Sequence, residues 1–269
     1  MIALHARRSH AAVAAWKRGD SGRPLVLVLT GTDLYRDIRC DAAARESLAL
    51  ADRLVVLQAE GFAELDESSR SKAEVIFQSV RPTRREPPPR GYFLVTVIGH
   101  LRAEKDPFRA AFALRHLDST RRVRVVHLGK ALDEDAAREA RALMSADARY
   151  RWLGEVDHAR AMRWLGRSHA MVISSRMEGG AHVVSEAIAV GVPVIASAIP
   201  GNIGLLGASY PGYYPVEDDR ALADALQRAM TDPAFLELLE ERVRAQRPLV
   251  DPARERKSLA RLIARLSAA

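Results

Sequence analysis

The sequence has one cysteine, five lysines and no long apolar run, and each shortage excludes a class of protein. A single thiol, Cys40, cannot form an internal disulfide, which argues against a disulfide-stabilised extracellular scaffold and favours a reducing cytoplasm. No apolar stretch approaches the ~18 residues of a membrane-spanning helix. The N-terminus lacks a basic segment followed by an apolar core, so we expect no signal peptide.

Several motifs of common enzymes are also missing. The sequence has no Cys/His cluster with zinc-ligand spacing, no Walker loop for a nucleoside triphosphate and no Gly-x-Ser-x-Gly turn for a serine nucleophile. Cys40 has no flanking His or Asp motif, so we interpret it as a structural residue rather than a nucleophile.

The formal net charge of +7 does not indicate nucleic-acid binding, because the excess is spread along the chain. Residues 1–90 have 15 Lys and Arg against 12 Asp and Glu, and the remainder has 26 against 22. Neither part has a basic block or a basic stripe with interleaved aromatic residues. A small anionic partner is compatible with this charge.

Short apolar runs alternate with longer amphipathic stretches. The runs are continuous, which is typical of strands buried on both faces of a parallel sheet. This order predicts an α/β fold with right-handed crossovers. The predicted strands are Leu25–Thr30, Leu54–Gln58, Val75–Gln78, Phe93–Gly99, Val123–Gly129, Met171–Ser175 and Val192–Ser197. The predicted helices among them are Pro107–Leu117, Asp133–Met144, His158–Arg167 and Val183–Val190.

A proline-rich segment, Arg81–Gly91, divides the chain. It contains Pro82 and Pro87–Pro89 among charged residues, so we interpret it as an interdomain linker. The predicted organisation is a first domain at 1–85, a second at 91–216 and C-terminal helices at 217–269.

The two ends of the chain carry further expectations. The last predicted helix, Arg254–Leu266, has four apolar residues on one face, and we expect that face to pack back on the first domain. They are Leu259, Leu262, Ile263 and Leu266. At the other end, Met1–Ala6 is strand-like, and no glycine turn of the Rossmann type precedes the helix that follows. We therefore expect the first domain to be N-terminally truncated.

The segment from Ser174 to Ala187 has the strongest chemical pattern. A strand ends, Gly179 and Gly180 would let the backbone approach a ligand, and a helix begins near Ala181, where free N–H groups suit a diphosphate. Two carboxylates flank this turn. Glu178 alone would be interpreted as a partner of Arg176, and Glu186 alone as an exposed residue on the helix surface.

Taken together, Glu178, the seven intervening residues, Glu186 and the following Gly191-Val192-Pro193 resemble the donor site of the retaining glycosyltransferases of family 4, which have the GT-B fold. The resemblance implies two Rossmann-like domains with a donor cleft between them. It also implies that Glu178 contacts the transferred sugar and Glu186 the ribose hydroxyls. The expected donor-binding residues around them are Gly179, Gly180, Ala181 and His182.

Val97–Pro107 resembles the strand, loop and helix that open the second domain in this family. By that resemblance, Arg102 and Lys105 neutralise the donor's diphosphate, whose charge grows as the glycosidic bond breaks. Without it, the two cations would be interpreted as partners of Glu104 and Asp106. Tyr150–Gly154 resembles the segment that lines the base pocket, which places Leu153 in donor binding.

The acceptor is expected to enter from the first domain, beside Thr30, Gly31, Thr32 and Asp33 just past a strand end. Many members of the family have a His where this chain has Thr30. We predict that His5, at the neighbouring strand end, contacts the reacting centre together with Glu178. A His satisfied at a strand end is the alternative. Arg7, with Arg8 and Arg36, would bind a small phosphorylated acceptor. Solvation of these arginines at the surface is the alternative.

Segments such as Thr30–Asp37 and Gly99–Pro107 further resemble those of selenosugar synthases, members of this family that act in selenoneine biosynthesis. This resemblance implies transfer from UDP-N-acetylglucosamine or UDP-glucose to selenophosphate, giving a 1-selenosugar. We expect no cofactor, no nucleic-acid partner and no metal. Asp133-Glu134-Asp135 matches a metal-binding Asp-x-Asp, but acidic residues are also favoured at a helix start. A sugar-nucleotide epimerase and a catalytically impaired nucleotide-sugar-binding protein remain the alternatives.

Overall fold

The computed structural model describes residues 1–20, 22–81 and 84–267. Pro82 and Thr83 of the predicted linker lie outside the described residues. The chain forms two parallel sheets, the first of four strands and the second of six. We call each sheet with the helices that cover it the first unit and the second unit.

The first sheet has the order β1-β2-β3-β4, and every neighbouring pair is parallel. Its strands are β1 (Ile2–Leu4), β2 (Val26–Leu29), β3 (Arg53–Val56) and β4 (Ala73–Val75). The fourth strand begins two residues earlier than the predicted Val75–Gln78 and ends at Val75. Beyond it Ile76 still donates its N–H to the Val56 carbonyl at 3.0 Å, but its side chain is buried against the C-terminal helix, where the chain leaves the sheet.

The second sheet has the order β10-β9-β8-β5-β6-β7, so the direction of winding reverses between β5 and β8. Ligands of doubly wound sheets bind beyond the carboxyl ends of the strands at such a reversal. The strands are β5 (Phe93–Ile98), β6 (Val123–Leu128), β7 (Tyr150–Trp152), β8 (Ala170–Ile173), β9 (Val194–Ser197) and β10 (Tyr213–Tyr214). The last strand has only two residues, too few for a recognisable apolar run, and was missed from sequence.

Helices cover both sheets. Those of the first half are α1 (His10–Gly19), α2 (Ile38–Cys40), α3 (Ala42–Leu50), α4 (Glu67–Ser71), α5 (Arg109–Ala113) and α6 (Glu134–Ala146). Those of the second half are α7 (His158–Gly166), α8 (His182–Val190), α9 (Pro200–Leu206), α10 (Asp219–Thr231), α11 (Pro233–Ala245) and α12 (Pro252–Ser267). The predicted helix Pro107–Leu117 is shorter than expected: α5 gives way to a 3-10 turn at Leu114–His116.

Aspartate begins half of these helices. In each case the carboxylate accepts a hydrogen bond from the backbone N–H three residues later, which satisfies a group that the helix itself leaves unpaired. The six capping residues are Asp41, Asp66, Asp133, Asp157, Asp218 and Asp232. The helix starts are therefore fixed by local side-chain chemistry.

The C-terminal helix α12 packs on the first sheet. Leu262 is fully buried there among Val26, Val55 and Ile76, and Leu259 and Leu266 are partly buried beside it. Ile263 was expected on the same face but is 49% exposed, because adjacent helical residues are rotated by about 100° about the helix axis. No helix among the described residues combines the length and the apolarity that a membrane crossing requires.

We expect Leu262→Ala to lower the free energy of unfolding by about 3 kcal/mol, because it leaves a cavity between α12 and the first sheet. Leu132→Ala is the matched control, since Leu132 is 56% exposed and its truncation should change stability by less than ~0.5 kcal/mol. Urea titration followed by circular dichroism measures both. Equal losses in the two variants would show that α12 is not part of the folded core.

Candidate active site

The two units meet where the loop after β2 lies against the loop after β8. A Cβ built at Gly179 would lie only 1.9 Å from the Thr30 carbonyl oxygen, so no side chain fits at this position. A Cβ at Gly180 would lie 2.6 Å from the Leu57 side chain. The glycine pair was predicted to let the backbone approach a ligand, and this stays a prediction, because the structure shows only what occupies the positions of the two missing side chains. They are filled by the first unit, and the close approach is between the two units.

A cavity of about 530 Å³ opens at the carboxyl ends of β5 and β6. It is lined by Ile98, Gly99, His100, Arg102, Lys105, Leu128, Gly129, Glu155, Val156, His158 and Ala161. Both cations predicted for the diphosphate are therefore in its wall. The side chain of Arg102 is exposed and makes no hydrogen bond or ion pair with the described part of the chain, so its guanidinium is available to an anion.

His127 on β6 lies below this cavity and holds Gly99, one of its lining residues, by a hydrogen bond. The Tyr150 hydroxyl donates to His127 Nδ1 at 2.9 Å, and His127 Nε2–H donates to the Gly99 carbonyl at 3.1 Å. This assignment uses both ring nitrogens of a neutral imidazole. Burial lowers the pKa of His127 to about 4, although the bond to Gly99 opposes the shift. The neutral ring therefore fixes the strand end from which the loop to Lys105 departs.

Glu178 is held by one carboxylate oxygen. Its Oε1 accepts from the Lys105 ammonium and from the Ser175 hydroxyl, the latter at 2.6 Å, whereas Oε2 accepts no hydrogen bond from the described residues. The side chain is 11% exposed. Arg176, the partner considered from sequence, pairs instead with Glu217 at 2.6 Å. Lys105 therefore joins the cavity wall to Glu178.

Glu186 is 5% exposed, so its interpretation as an exposed surface carboxylate is wrong. It lies on the inner side of α8, where Oε1 accepts a hydrogen bond from His158 Nε2 at 2.7 Å. His182 Nε2 is 3.7 Å from the same oxygen. Ala181, the residue before α8, has no polar side chain to cap the helix, so no side-chain cap satisfies the first N–H groups of α8.

On the facing wall, Asp33 organises the loop predicted to meet the acceptor. Its carboxylate is completely buried and accepts from the N–H groups of Ala6, Thr30 and Gly31 at 2.8–2.9 Å. A group so fully used has no capacity for a substrate. We therefore assign Asp33 to loop structure rather than to acceptor contact, a correction to the prediction.

His5 lies at the end of β1 with a φ of 70°, in the left-handed region that is uncommon for a residue with a side chain. Its Nδ1 accepts from the Arg8 N–H at 3.3 Å, so in the neutral ring the proton is on Nε2, which donates to Thr32 Oγ1 at 3.0 Å. Thr32 follows Gly31 at the contact between the units. Arg7, by contrast, pairs with Asp41 at 3.0 Å and is more than half exposed.

Leu153 lies beside the cavity but is not among its lining residues. Its N–H donates to the His127 carbonyl at 2.9 Å, and its side chain is 38% exposed. Glu155 and Val156, two and three residues later, line the wall instead. The assignment of Leu153 to donor binding stays a prediction.

The acidic triplet at the start of α6 is occupied by structural contacts. Asp133 caps the helix, Glu134 pairs with Arg141 and Asp135 pairs with Arg138. Within the described ranges no group of three or more His, Cys, Asp or Glu is arranged to hold a metal ion.

Residues 81–247, more than half of the chain, match the family of glycosyl transferases group 1. The chain belongs to this family. A search among curated protein sequences finds no match for this glycosyl transferase. Its fold is similar to those of solved glycosyltransferase structures, which confirms the predicted GT-B architecture of two Rossmann-like domains.

Three of these structures illustrate the likeness. HepE of Anabaena, solved with UDP and glucose, has a TM-score of 0.83 at 16% identity, over 98% of this chain and 77% of HepE. Sucrose-phosphate synthase of Thermosynechococcus elongatus has a TM-score of 0.80 at 19% identity, over 99% and 73%. The UDP-forming α,α-trehalose-phosphate synthase of Burkholderia vietnamiensis has a TM-score of 0.79 at 16% identity, over 99% and 74%.

Sequence reasoning missed three residues that shape this site, namely His127, His158 and Ser175. His127 is inside an apolar strand, where a histidine has no pattern that marks it as functional. Ser175 lies within the segment Ser174–Ala187, but a serine at a strand end is too common to be singled out. Asp157, just before His158, signals a helix start, but the hydrogen-bond partner of His158 is Glu186, which lies 28 residues further along the chain.

The low pKa of His127 predicts that the protein loses stability in mild acid. The native ring binds a proton only near pH 4, whereas the unfolded ring does so near pH 6.5, so the free energy of unfolding falls as the pH drops through this window. Between pH 6.5 and 5 the loss should be about 2 kcal/mol.

His127→Gln is the control for this prediction, because it removes the titration and retains His169, whose pKa burial also lowers. Urea titrations at the two pH values should show a smaller pH dependence in this variant. An identical pH dependence in both proteins would contradict the assignment.

Proposed function

We propose that this glycosyl transferase transfers a hexosyl group from a UDP-sugar to a small anionic acceptor, with selenophosphate as the acceptor and a 1-selenosugar as the product. One observation carries the donor part of the proposal. Glu178 and Glu186 each have one oxygen anchored by the protein and a second oxygen without a partner in the described chain, and their anchors Lys105 and His158 line the same cavity.

The donor would be held by residues of this cavity together with the two carboxylates beside it. Glu186 accepts from the ribose hydroxyls, Arg102 and Lys105 face the diphosphate with the first N–H groups of α8, and Glu178 accepts from hydroxyls of the transferred sugar. The similar fold of HepE, solved with UDP and glucose and also with UDP-glucose, supports a donor of this class.

The departure of UDP explains why the site needs the positive charges of Arg102 and Lys105. As the bond between the anomeric carbon and the diphosphate breaks, negative charge develops on the diphosphate, and a preorganised positive environment lowers the barrier. Arg102 is free to follow that charge. Lys105 already contacts Glu178, so it links the sugar end of the site to the diphosphate end.

The acceptor approaches from the first unit. The contact between Gly179 and Thr30 places the loop of Thr32 beside the turn that contains Glu178, and His5 is bonded to Thr32. Of the arginines predicted for the acceptor, Arg7 pairs with Asp41 and Arg36 pairs with Asp37. Arg8 is the one whose guanidinium has no carboxylate partner in the described chain, so it would meet a phosphorylated anion. The resemblance of Thr30–Asp37 and Gly99–Pro107 to selenosugar synthases supports selenophosphate within that class.

The chemistry balances with these reactants. Selenium attacks the anomeric carbon, the carbon–oxygen bond to the diphosphate breaks, and UDP leaves with the electron pair. Water then cleaves the selenium–phosphorus bond to give the 1-selenosugar and phosphate. An anionic nucleophile needs no strong base. His5, whose Nε2–H already donates to Thr32 Oγ1, would orient the acceptor through the Thr32 hydroxyl and not by a hydrogen bond of its own.

A screen of UDP-glucose and UDP-N-acetylglucosamine against selenophosphate, thiophosphate and water, with mass detection, tests the proposal. We expect UDP and a selenium-containing sugar only with selenophosphate, and little effect of EDTA. An epimerised sugar nucleotide without acceptor would support the epimerase alternative. UDP binding without any product would indicate the impaired binding protein.

Replacing Arg102 or Lys105 with Ala should lower kcat by about 10²-fold, because each cation stabilises charge that develops in the transition state. Binding of uridine, which has no diphosphate, should change little. Steady-state kinetics and calorimetric titration with UDP and uridine separate these effects. Lys130→Ala is the control, since Lys130 is exposed beside the same cavity edge. Unchanged turnover in the Arg102/Lys105 double variant would mean that the loop is only a surface turn.

A further inference from the structure

We propose that His158 is a positioning residue for the donor's ribose: it holds Glu186 by one carboxylate oxygen, so that the other is presented to the ribose hydroxyls. The inference rests on the proposed function, because it assumes that Glu186 meets the ribose. It adds a residue that no motif of the chain assigned to donor binding.

Because Glu186 is buried, its carboxylate needs a hydrogen-bond donor from the protein. The carboxylate is almost enclosed, and a buried charge requires hydrogen bonds to compensate for the lost water. His158 Nε2, at 2.7 Å, is its one hydrogen-bond donor among the described residues, since His182 Nε2 at 3.7 Å is beyond hydrogen-bond distance. Without His158 the carboxylate would have no fixed orientation.

The direction of this hydrogen bond follows from the chemistry of the partners. A carboxylate only accepts, so Nε2 of His158 must carry a proton, and Oε1 of Glu186 is the oxygen that is used. The second oxygen, Oε2, accepts nothing from the described chain. Glu186 Oε2 is therefore held in place and can still accept hydrogen bonds, as the two hydroxyl groups of a ribose require.

The backbone of His158 is fixed independently of Glu186. His158 is the first residue of α7, and Asp157 caps that helix by accepting from the Arg160 N–H at 2.7 Å. The ring is 72% exposed and lines the cavity, while its Nε2 points at a buried group. A side chain anchored at its backbone and exposed at its ring can meet ligand and carboxylate together.

Glu178 has the same arrangement with different donors. Its Oε1 is held by Lys105 and Ser175, and its Oε2 is open in the described chain. The recurrence at both ends of the donor site indicates that anchoring one oxygen and presenting the other is how this protein prepares its carboxylates. At Glu186 the anchor is an imidazole from another helix.

Calorimetric titration at pH 8 with UDP and with 2′,3′-dideoxy-UDP tests the inference. The wild-type protein should bind UDP more tightly than the dideoxy analogue. His158→Ala should weaken UDP binding about tenfold and leave the affinity for the dideoxy analogue unchanged, because only the ribose contact is lost. His158→Gln, which retains an N–H donor at similar reach, should restore most of the preference.

Arg160→Ala is the control for disturbance of α7, since Arg160 is exposed in the first turn of the helix, two residues after His158, and its loss should leave both affinities unchanged. If His158→Ala kept the full preference for UDP, or lost affinity equally for both ligands, the inference would be overturned. UDP binding by the wild-type protein would still uphold the donor assignment in that case. Failure of the wild type to bind UDP would overturn the proposed function and this inference with it.

Discussion

The contact between the Thr30 carbonyl and Gly179 is the constraint on which the candidate site depends. It joins backbone to backbone, so any side chain at position 179 would separate the two units. The contact places the loop that Asp33 organises against the turn that holds Glu178. Neither unit alone contains both walls. The site exists because two loops, each rigid within its own unit, meet without intervening side chains.

Electrostatic pairing prepares the site before any ligand arrives. The ammonium of Lys105 offsets the charge of Glu178, and the His158 N–H solvates Glu186, so neither carboxylate is left buried without a donor. The guanidinium of Arg102 remains as uncompensated positive charge at the cavity. An entering anion therefore meets a cation that it need not detach from a carboxylate.

Periodicity predicted the parallel sheets, because the apolar runs that form buried strands are local patterns. The roles of Glu178 and Glu186 came from a family resemblance and stay predictions. The sequence could not show which way Gly179 faces, since a glycine that admits a ligand and one that admits another loop look the same. The burial of Glu186 was missed for a related reason: the hydrogen bond that compensates its buried charge comes from His158, which lies on another helix. Ile263 was misplaced because neighbouring apolar residues on a helix can straddle the edge of its buried face.

The return of α12 to the first sheet means that the chain passes between the units twice. The two passages touch, since the Val80 N–H donates to the Val250 carbonyl at 3.1 Å, and Glu255 at the start of α12 accepts from the Ser79 N–H at 3.1 Å. Two adjacent chain connections between the units act as a hinge. They permit rotation of one unit relative to the other about one axis and resist twisting and sliding. Any opening at the Thr30–Gly179 contact would therefore be a rotation of the two units about that axis.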